Sequence, residues 1–127
     1  MNTFVHKVIF NKLTKFLEEE ELFLTGNLRL DDIAERLKTN KVYVSNIVNE
    51  RFKMNFPTLL NHYRVKKAVE HLKRDDAQIK TAWSKAGFCS QSAFNKAFRK
   101  EMGMTPTEWL SENKRSLFIK QDSGNAQ

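Results

Sequence analysis

The sequence predicts an all-α domain of seven helices, with two helix-turn-helix units joined by a long central helix. Three observations predict it. Four Gly and two Pro in 127 residues are too few for a chain built of tight turns. Apolar side chains recur at helical rather than alternating spacing along most of the length. The chain also repeats itself at an offset near 50 residues. A hydrophobic fraction of 40%, with ten Phe, supplies the core of one domain, or of two very small ones sharing a helix.

The first helix is expected over Phe4 to Leu24, with Val5, Val8, Ile9, Leu13, Phe16, Leu17, Phe23 and Leu24 on its apolar stripe. Thr25-Gly26-Asn27 ends it, Gly26 being free to take the left-handed conformation. The acidic run Glu18 to Glu21 reads as a solvated face, with an acidic interaction patch as the alternative. A short helix over roughly Asp31 to Lys38 turns Ile33, Ala34 and Leu37 inward. Its two first-turn acids suit the positive end of the helix dipole. Asn40 caps a third helix, about Lys41 to Phe52, burying Val44, Ile47, Val48 and Phe52.

Asn55 caps the fourth, with Pro57 in its first turn where a missing amide hydrogen does little harm. It runs to about Lys73 and presents Leu59, Leu60, Tyr63, Val65, Ala68, Val69 and Leu72. Arg74-Asp75-Asp76 breaks it, one of the acids capping a fifth helix through Ile79, Ala82, Trp83 and Ala86. After a turn at Gly87, Ser90 caps a sixth helix with Phe94, Ala97, Phe98 and Met102 inward. Thr105-Pro106-Thr107-Glu108 starts the last, with Thr as cap, Pro at the first position and Glu reaching back to the cap. Periodicity fades after about Lys114, and Asp122 to Gln127 reads as a loose tail.

The repeat carries most of the functional information. Asn40, Val44, Ile47, Val48, Phe52 and Asn55 pair with Ser90, Phe94, Ala97, Phe98, Met102 and Thr105. Ala34, Leu37 and Lys38 pair with Trp83, Ala86 and Gly87 at an offset of 49, so the second turn is one residue longer. Each copy is a short helix, a tight turn, a polar cap and a second helix: a helix-turn-helix. The outer face of the second helix offers Lys41, Val42, Tyr43, Ser45, Asn46 and Asn49 in one copy. In the other it offers Gln91, Ser92, Asn95, Lys96 and Arg99. Amides pair with adenine and cations with guanine or phosphate, and Glu50 is the one carboxylate nearby.

Charge agrees. The formal net charge is +7, and between Lys53 and Lys100 eleven Lys or Arg face three acids. A basic centre in a small domain suits an anionic partner, most often nucleic acid. The lone Cys89 excludes an internal disulfide and a thiolate cluster. His6, His62 and His71 have no ligand spacing, so no metal and no cofactor are expected. No apolar run is long enough for a membrane span, and no nucleophile is grouped with a base and an orienting acid, so no catalytic residue is expected. A helical interaction module without DNA contact is the alternative, but it would not require cations and amides on both second helices.

Several stretches then point to a family. They are Ile33-Ala34-Glu35-Arg36-Leu37, Arg64-Val65-Lys66-Lys67-Ala68 and Ile79-Lys80-Thr81-Ala82, then Ala86-Gly87-Phe88 and Phe94-Asn95-Lys96-Ala97-Phe98-Arg99-Lys100. Gly103-Met104-Thr105-Pro106-Thr107-Glu108-Trp109 closes the series. Over roughly Leu13 to Leu110 the chain resembles the DNA-binding domain of the AraC/XylS family of bacterial transcription regulators. The resemblance implies that the third and sixth helices enter successive major grooves on one face of the DNA. It makes Lys41, Val42, Ser45 and Asn46, then Gln91, Ser92, Asn95 and Lys96, the base-reading candidates. Asn40, Tyr43, Asn49, Lys66, Lys67, Lys80, Ser90, Arg99 and Lys100 are the phosphate candidates.

The chain departs from the family pattern at four places. Lys53 stands where Gly is usual, Asn46 where a cation is usual, Trp83 where a small Ala packs, and Trp109-Leu110 where Tyr-Arg is usual. The expected organisation is a first unit over 1–55, a connecting helix over 56–73, a second unit over 74–114 and a flexible tail over 115–127. Expected partners are double-stranded DNA and RNA polymerase, not membrane, with the isolated domain a monomer in the bacterial cytoplasm, on the nucleoid when bound. Either a single-domain regulator or the C-terminal piece of a larger one fits this length.

Overall fold

The chain is seen in a computed structural model that describes residues 3–74 and 78–113. Among these residues there are seven α-helices and no strand. They are α1 (Thr3–Glu18), α2 (Leu30–Arg36), α3 (Lys41–Phe52), α4 (Phe56–Leu72), α5 (Ile79–Lys85), α6 (Gln91–Met102) and α7 (106–113). The expected tail lies outside the described residues.

α1 is shorter than its apolar pattern suggests. Carried on as a helix, Phe23 would lie about 9 Å along the axis beyond Leu17, past the core. Instead Glu21 takes a left-handed conformation and Leu22–Leu24 turn back as a 3-10 segment. This folds Phe23 into the core, its ring stacked on Tyr63 at 5.6 Å between centroids. Gly26 does not take the left-handed role expected of it; Glu21 does.

The caps of the two long second helices form as read. Asn40 Oδ1 accepts from the Tyr43 amide at 2.9 Å, and Ser90 Oγ from the Ala93 amide at 3.1 Å. Asn55 caps α4 through the Thr58 amide at 3.0 Å. Thr105 caps α7 through the Glu108 amide at 3.1 Å, and Glu108 reaches back to the Thr105 hydroxyl. α5 differs. Its cap position is Gln78, which makes no side-chain cap bond, and the expected acidic caps Asp75 and Asp76 lie outside the described residues.

Two clusters of buried side chains form, one at each end of α4. Leu13, Leu17, Ile33, Val44, Ile47 and Val48 centre the first, to which α4 contributes Phe56, Leu59 and Leu60. Val65, Ala68 and Leu72 of α4 join Ala82, Ala86, Phe88, Phe94 and Phe98 in the second. Phe94 sits edge-on to both Phe88 and Phe98, at 5.3 and 5.4 Å.

The repeat is visible in backbone conformation. Lys38 and Lys53 are left-handed in the first unit, and their counterparts Gly87 and Gly103 are left-handed in the second. Trp83 stands where the first unit has buried Ala34. It is partly buried against the second cluster, and its indole Nε1 is buried without a partner. The bulk of that side chain goes with a looser contact of α5 with α6 than of α2 with α3. α5 rests mainly on α4.

Candidate nucleic-acid interface

The inward residues of α3 and α6 fix which faces remain outside. Val44, Ile47 and Val48 are buried on α3, so Lys41, Val42, Asn46 and Asn49 are left exposed. Val42 is 63% exposed, an aliphatic side chain beside amides and a cation. Ser45 and Tyr43 are half-buried, and Tyr43 packs against the first cluster. On α6, burial of Phe94, Ala97 and Phe98 leaves Gln91, Ser92, Asn95, Lys96, Arg99 and Lys100 exposed. Each set begins at a capped N-terminus, where free amide N–H groups and the helix dipole favour an anion. Asn40 and Ser90 already use a side-chain oxygen in that cap.

A shallow cleft beside α6 is lined by Gln91, Asn95, Lys96 and Arg99 together with Thr105 and Thr107. The start of α7 therefore borders the outer face of α6. The sequence showed Thr105 only as a cap; the closeness of these segments depends on the turn at Gly103, which is tertiary information.

The cations divide into two groups. Among the described residues, Lys41, Lys66, Lys80, Lys96, Arg99 and Lys100 form no ion pair within the domain. Lys67 is different. Its ammonium lies 2.8 Å from Glu21 and 3.6 Å from Glu70, and the bond to Glu21 raises its pKa. Arg36 and Arg51 lie over the rings of Phe16 and Phe10 on α1. The acidic run tethers the end of α1: Glu18 accepts from the Tyr63 hydroxyl at 3.2 Å, Glu20 pairs with Arg36, and Glu21 holds Lys67. Burial and the Glu18 carboxylate push the Tyr63 phenol up to about 12.

Arg64 was visible in the sequence only as part of a matching stretch. It is the one charged residue buried among those described, and it has no acid beside it. Its Nε donates to the Phe23 carbonyl at 2.7 Å and Nη2 to the Thr25 carbonyl at 2.8 Å. Burial lowers its pKa from the ordinary guanidinium value. A buried cation satisfied by two main-chain carbonyls holds a loop; it does not present charge to a ligand.

No group of three or more His, Cys, Asp or Glu with metal-binding geometry occurs among the described residues, and no helix there is long and apolar enough to cross a membrane.

Comparison with known proteins agrees with this geometry. A family profile described as a helix-turn-helix domain matches residues 33–112. The TCP pilus virulence regulatory protein of Vibrio cholerae is 30% identical over 87 residues, which are 68% of this chain and 31% of that protein. The chain thus spans about a third of that relative's length. The C-terminal domain of AraT, a response regulator from Geobacillus stearothermophilus, superposes with a TM-score of 0.68 at 26% identity, covering 85% of this chain and 81% of that one. The DNA-binding domain of AdpA, solved in complex with a target DNA, has a TM-score of 0.73 at 17% identity over 85% of this chain and 94% of that one, a likeness of fold.

Proposed function

Because the chain belongs to the AraC-type helix-turn-helix family of DNA-binding transcription regulators, we propose that it reads double-stranded DNA with α3 and α6 in successive major grooves. The observation that carries this reading is the pair of capped, repeat-related helices whose outer faces hold amides, hydroxyls and unpaired cations. α4, with 17 residues, is about 25 Å long at 1.5 Å per residue. With its flanking turns it suits two reading helices set about 34 Å apart, one turn of the duplex.

In this reading Lys41, Val42, Ser45 and Asn46 face one groove, and Gln91, Ser92, Asn95 and Lys96 the next. Val42 offers an apolar contact for a thymine methyl; Gln91 and Lys96 offer hydrogen bonds to adenine and guanine edges. Asn40, Tyr43 and Ser90 lie at or beside the helix starts, where phosphates would sit; Asn49, on the outer face two turns into α3, is a further phosphate candidate. Lys66, Lys80, Arg99 and Lys100 supply the sequence-independent attraction. Lys67, compensated by Glu21 and Glu70, contributes little to it. The site is asymmetric, because the two faces differ and follow each other head to tail. One monomer suffices for two grooves, in a bacterial cytoplasm where RNA polymerase is the further partner.

The test is substitution within each face. Gln91→Ala or Lys96→Ala relaxes base preference in one half of a selected site by about 1–3 kcal/mol, and Asn46→Ala has a smaller effect in the other half. Unchanged preference in all three would overturn the assignment of the reading faces.

A further inference from the structure

α4 sets how far apart the two units lie along its axis and, through the faces on which its buried residues lie, how they are rotated about it. A second contact away from that axis stiffens the arrangement against bending and twisting, and the structure contains one. Arg64 lies at the junction on α4, after Leu60, the last α4 residue of the first buried cluster, and immediately before Val65, the first of the second. Its guanidinium grips the carbonyls of Phe23 and Thr25 in the loop after α1. That loop meets the turn between α5 and α6. A Cβ on Gly87 would lie 2.7 Å from the Phe23 carbonyl oxygen and 2.9 Å from Leu24 Cα, so the two backbones touch where only glycine fits. Two residues on, the Cys89 thiol donates to the Gly26 carbonyl at 3.3 Å, and a Cβ on Gly26 would lie 2.9 Å from that sulfur.

Both sides of this seam are anchored. Phe23 is buried in the first cluster and Phe88, between Gly87 and Cys89, in the second. The turn carrying Gly87 also ends at Ser90, the cap of α6. A shift at the seam is therefore passed to the reading helix of the second unit.

Building on the two-groove reading, we propose that Arg64, Gly87 and the Gly26–Cys89 contact are positioning residues that fix the spacing of the two half-sites this protein accepts. One inserted base pair moves the second half-site by about 3.4 Å and turns it by roughly 35°. A seam of backbone contacts cannot follow that displacement without opening. A rigid seam makes the protein strict about spacing; an opened one makes it tolerant.

The experiment is selection of bound duplexes from a randomised library by the full 127-residue chain, followed by affinity measurements on the selected site with and without one inserted base pair. The wild-type chain recovers two motifs at a single separation, and the insertion weakens binding about tenfold or more. Gly87→Ala and Arg64→Met recover the same two motifs at several separations, with an insertion penalty of about threefold or less. Gly26→Ala is the milder probe, since it meets only the Cys89 sulfur and a carbonyl at 3.5 Å. Cys89→Ala, which removes the thiol that donates to the Gly26 carbonyl, tolerates the insertion to a similar degree. Loss of stability alone, with single spacing and full insertion penalty retained in a folded variant, overturns the proposal. A wild-type selection that yields only one motif overturns the two-groove reading itself, a separate and recognisable outcome.

Discussion

Replacing Phe98 by Ala removes the centre of the second cluster. The ring is fully buried, edge-on to Phe94 at 5.4 Å and to Trp109 at 6.4 Å. Its transfer from water contributes about 1.5–3 kcal/mol, and the aromatic geometry roughly 0.5–1.5 kcal/mol per pair beyond that. The neighbours belong to four helices, so they can only partly collapse into the void. The expected loss is about 3–5 kcal/mol, a large share of the roughly 5–15 kcal/mol available to a small domain. Urea denaturation reads it directly. With a slope of about 1–3 kcal/mol per molar, the midpoint drops by roughly 2 M. Trp83 and Trp109 both pack against the second cluster, so fluorescence reports on that unit while far-UV circular dichroism reports on all helices. Phe98→Leu recovers most of the loss, because it leaves a smaller void. A midpoint change for the Ala variant equivalent to less than about 1 kcal/mol would refute the reasoning, since it contradicts the packing cost on which it rests.

Lys53→Gly stabilises the domain by about 0.5–1 kcal/mol, because relief of the left-handed strain slightly exceeds the entropy glycine adds to the unfolded chain; a melting temperature that falls contradicts this. Affinity for a duplex decreases steeply with salt, at a slope near −0.9 per neutralised phosphate. Titrations should show that Lys80→Ala or Lys100→Ala lowers the slope by about 1, and that Lys67→Ala, whose ammonium is already paired with Glu21, leaves it nearly unchanged. His71 is held below its ordinary pKa by burial, then by Arg74, Lys85 and Lys67, against the opposing pull of Glu70. The unfolded chain therefore binds the proton first as pH falls below about 6.5. Stability decreases from there down to the lower folded pKa and levels off beneath it. His71→Gln removes that part of the pH dependence, as denaturation midpoints between pH 5 and 8 will show.

The helices and caps were legible because they depend on local chemistry. Asn40, Asn55, Ser90 and Thr105 each cap where the sequence placed them, and α3 runs from Lys41 to Phe52 as read. The repeat predicted buried Phe94 and Phe98 because inward positions recur with it. The end of α1 was not legible, since Phe23 and Leu24 continue the helical stripe and only the position of the core shows that the chain must turn at Glu21. The role of Arg64 was hidden for a related reason. In sequence it is one more cation in a basic stretch, and its carbonyl partners lie 41 and 39 residues away. Lys67 looks like its neighbour Lys66 until Glu21 is seen against it. The outward faces of α3 and α6 could be derived from periodicity, whereas the cleft that α7 forms beside α6 depends on tertiary packing.

The central claim is that one chain places two reading helices in neighbouring grooves of one duplex. The most direct measurement is the stoichiometry of the complex on a selected duplex, by sedimentation or native mass spectrometry, together with its footprint. The account predicts one chain per duplex, protecting about 20 base pairs, two turns of the double helix. Its contacts should fall in two adjacent major grooves on one side, and α3 and α6 should both be protected. An obligatory dimer, with a single reading helix of each chain in a groove, would contradict it.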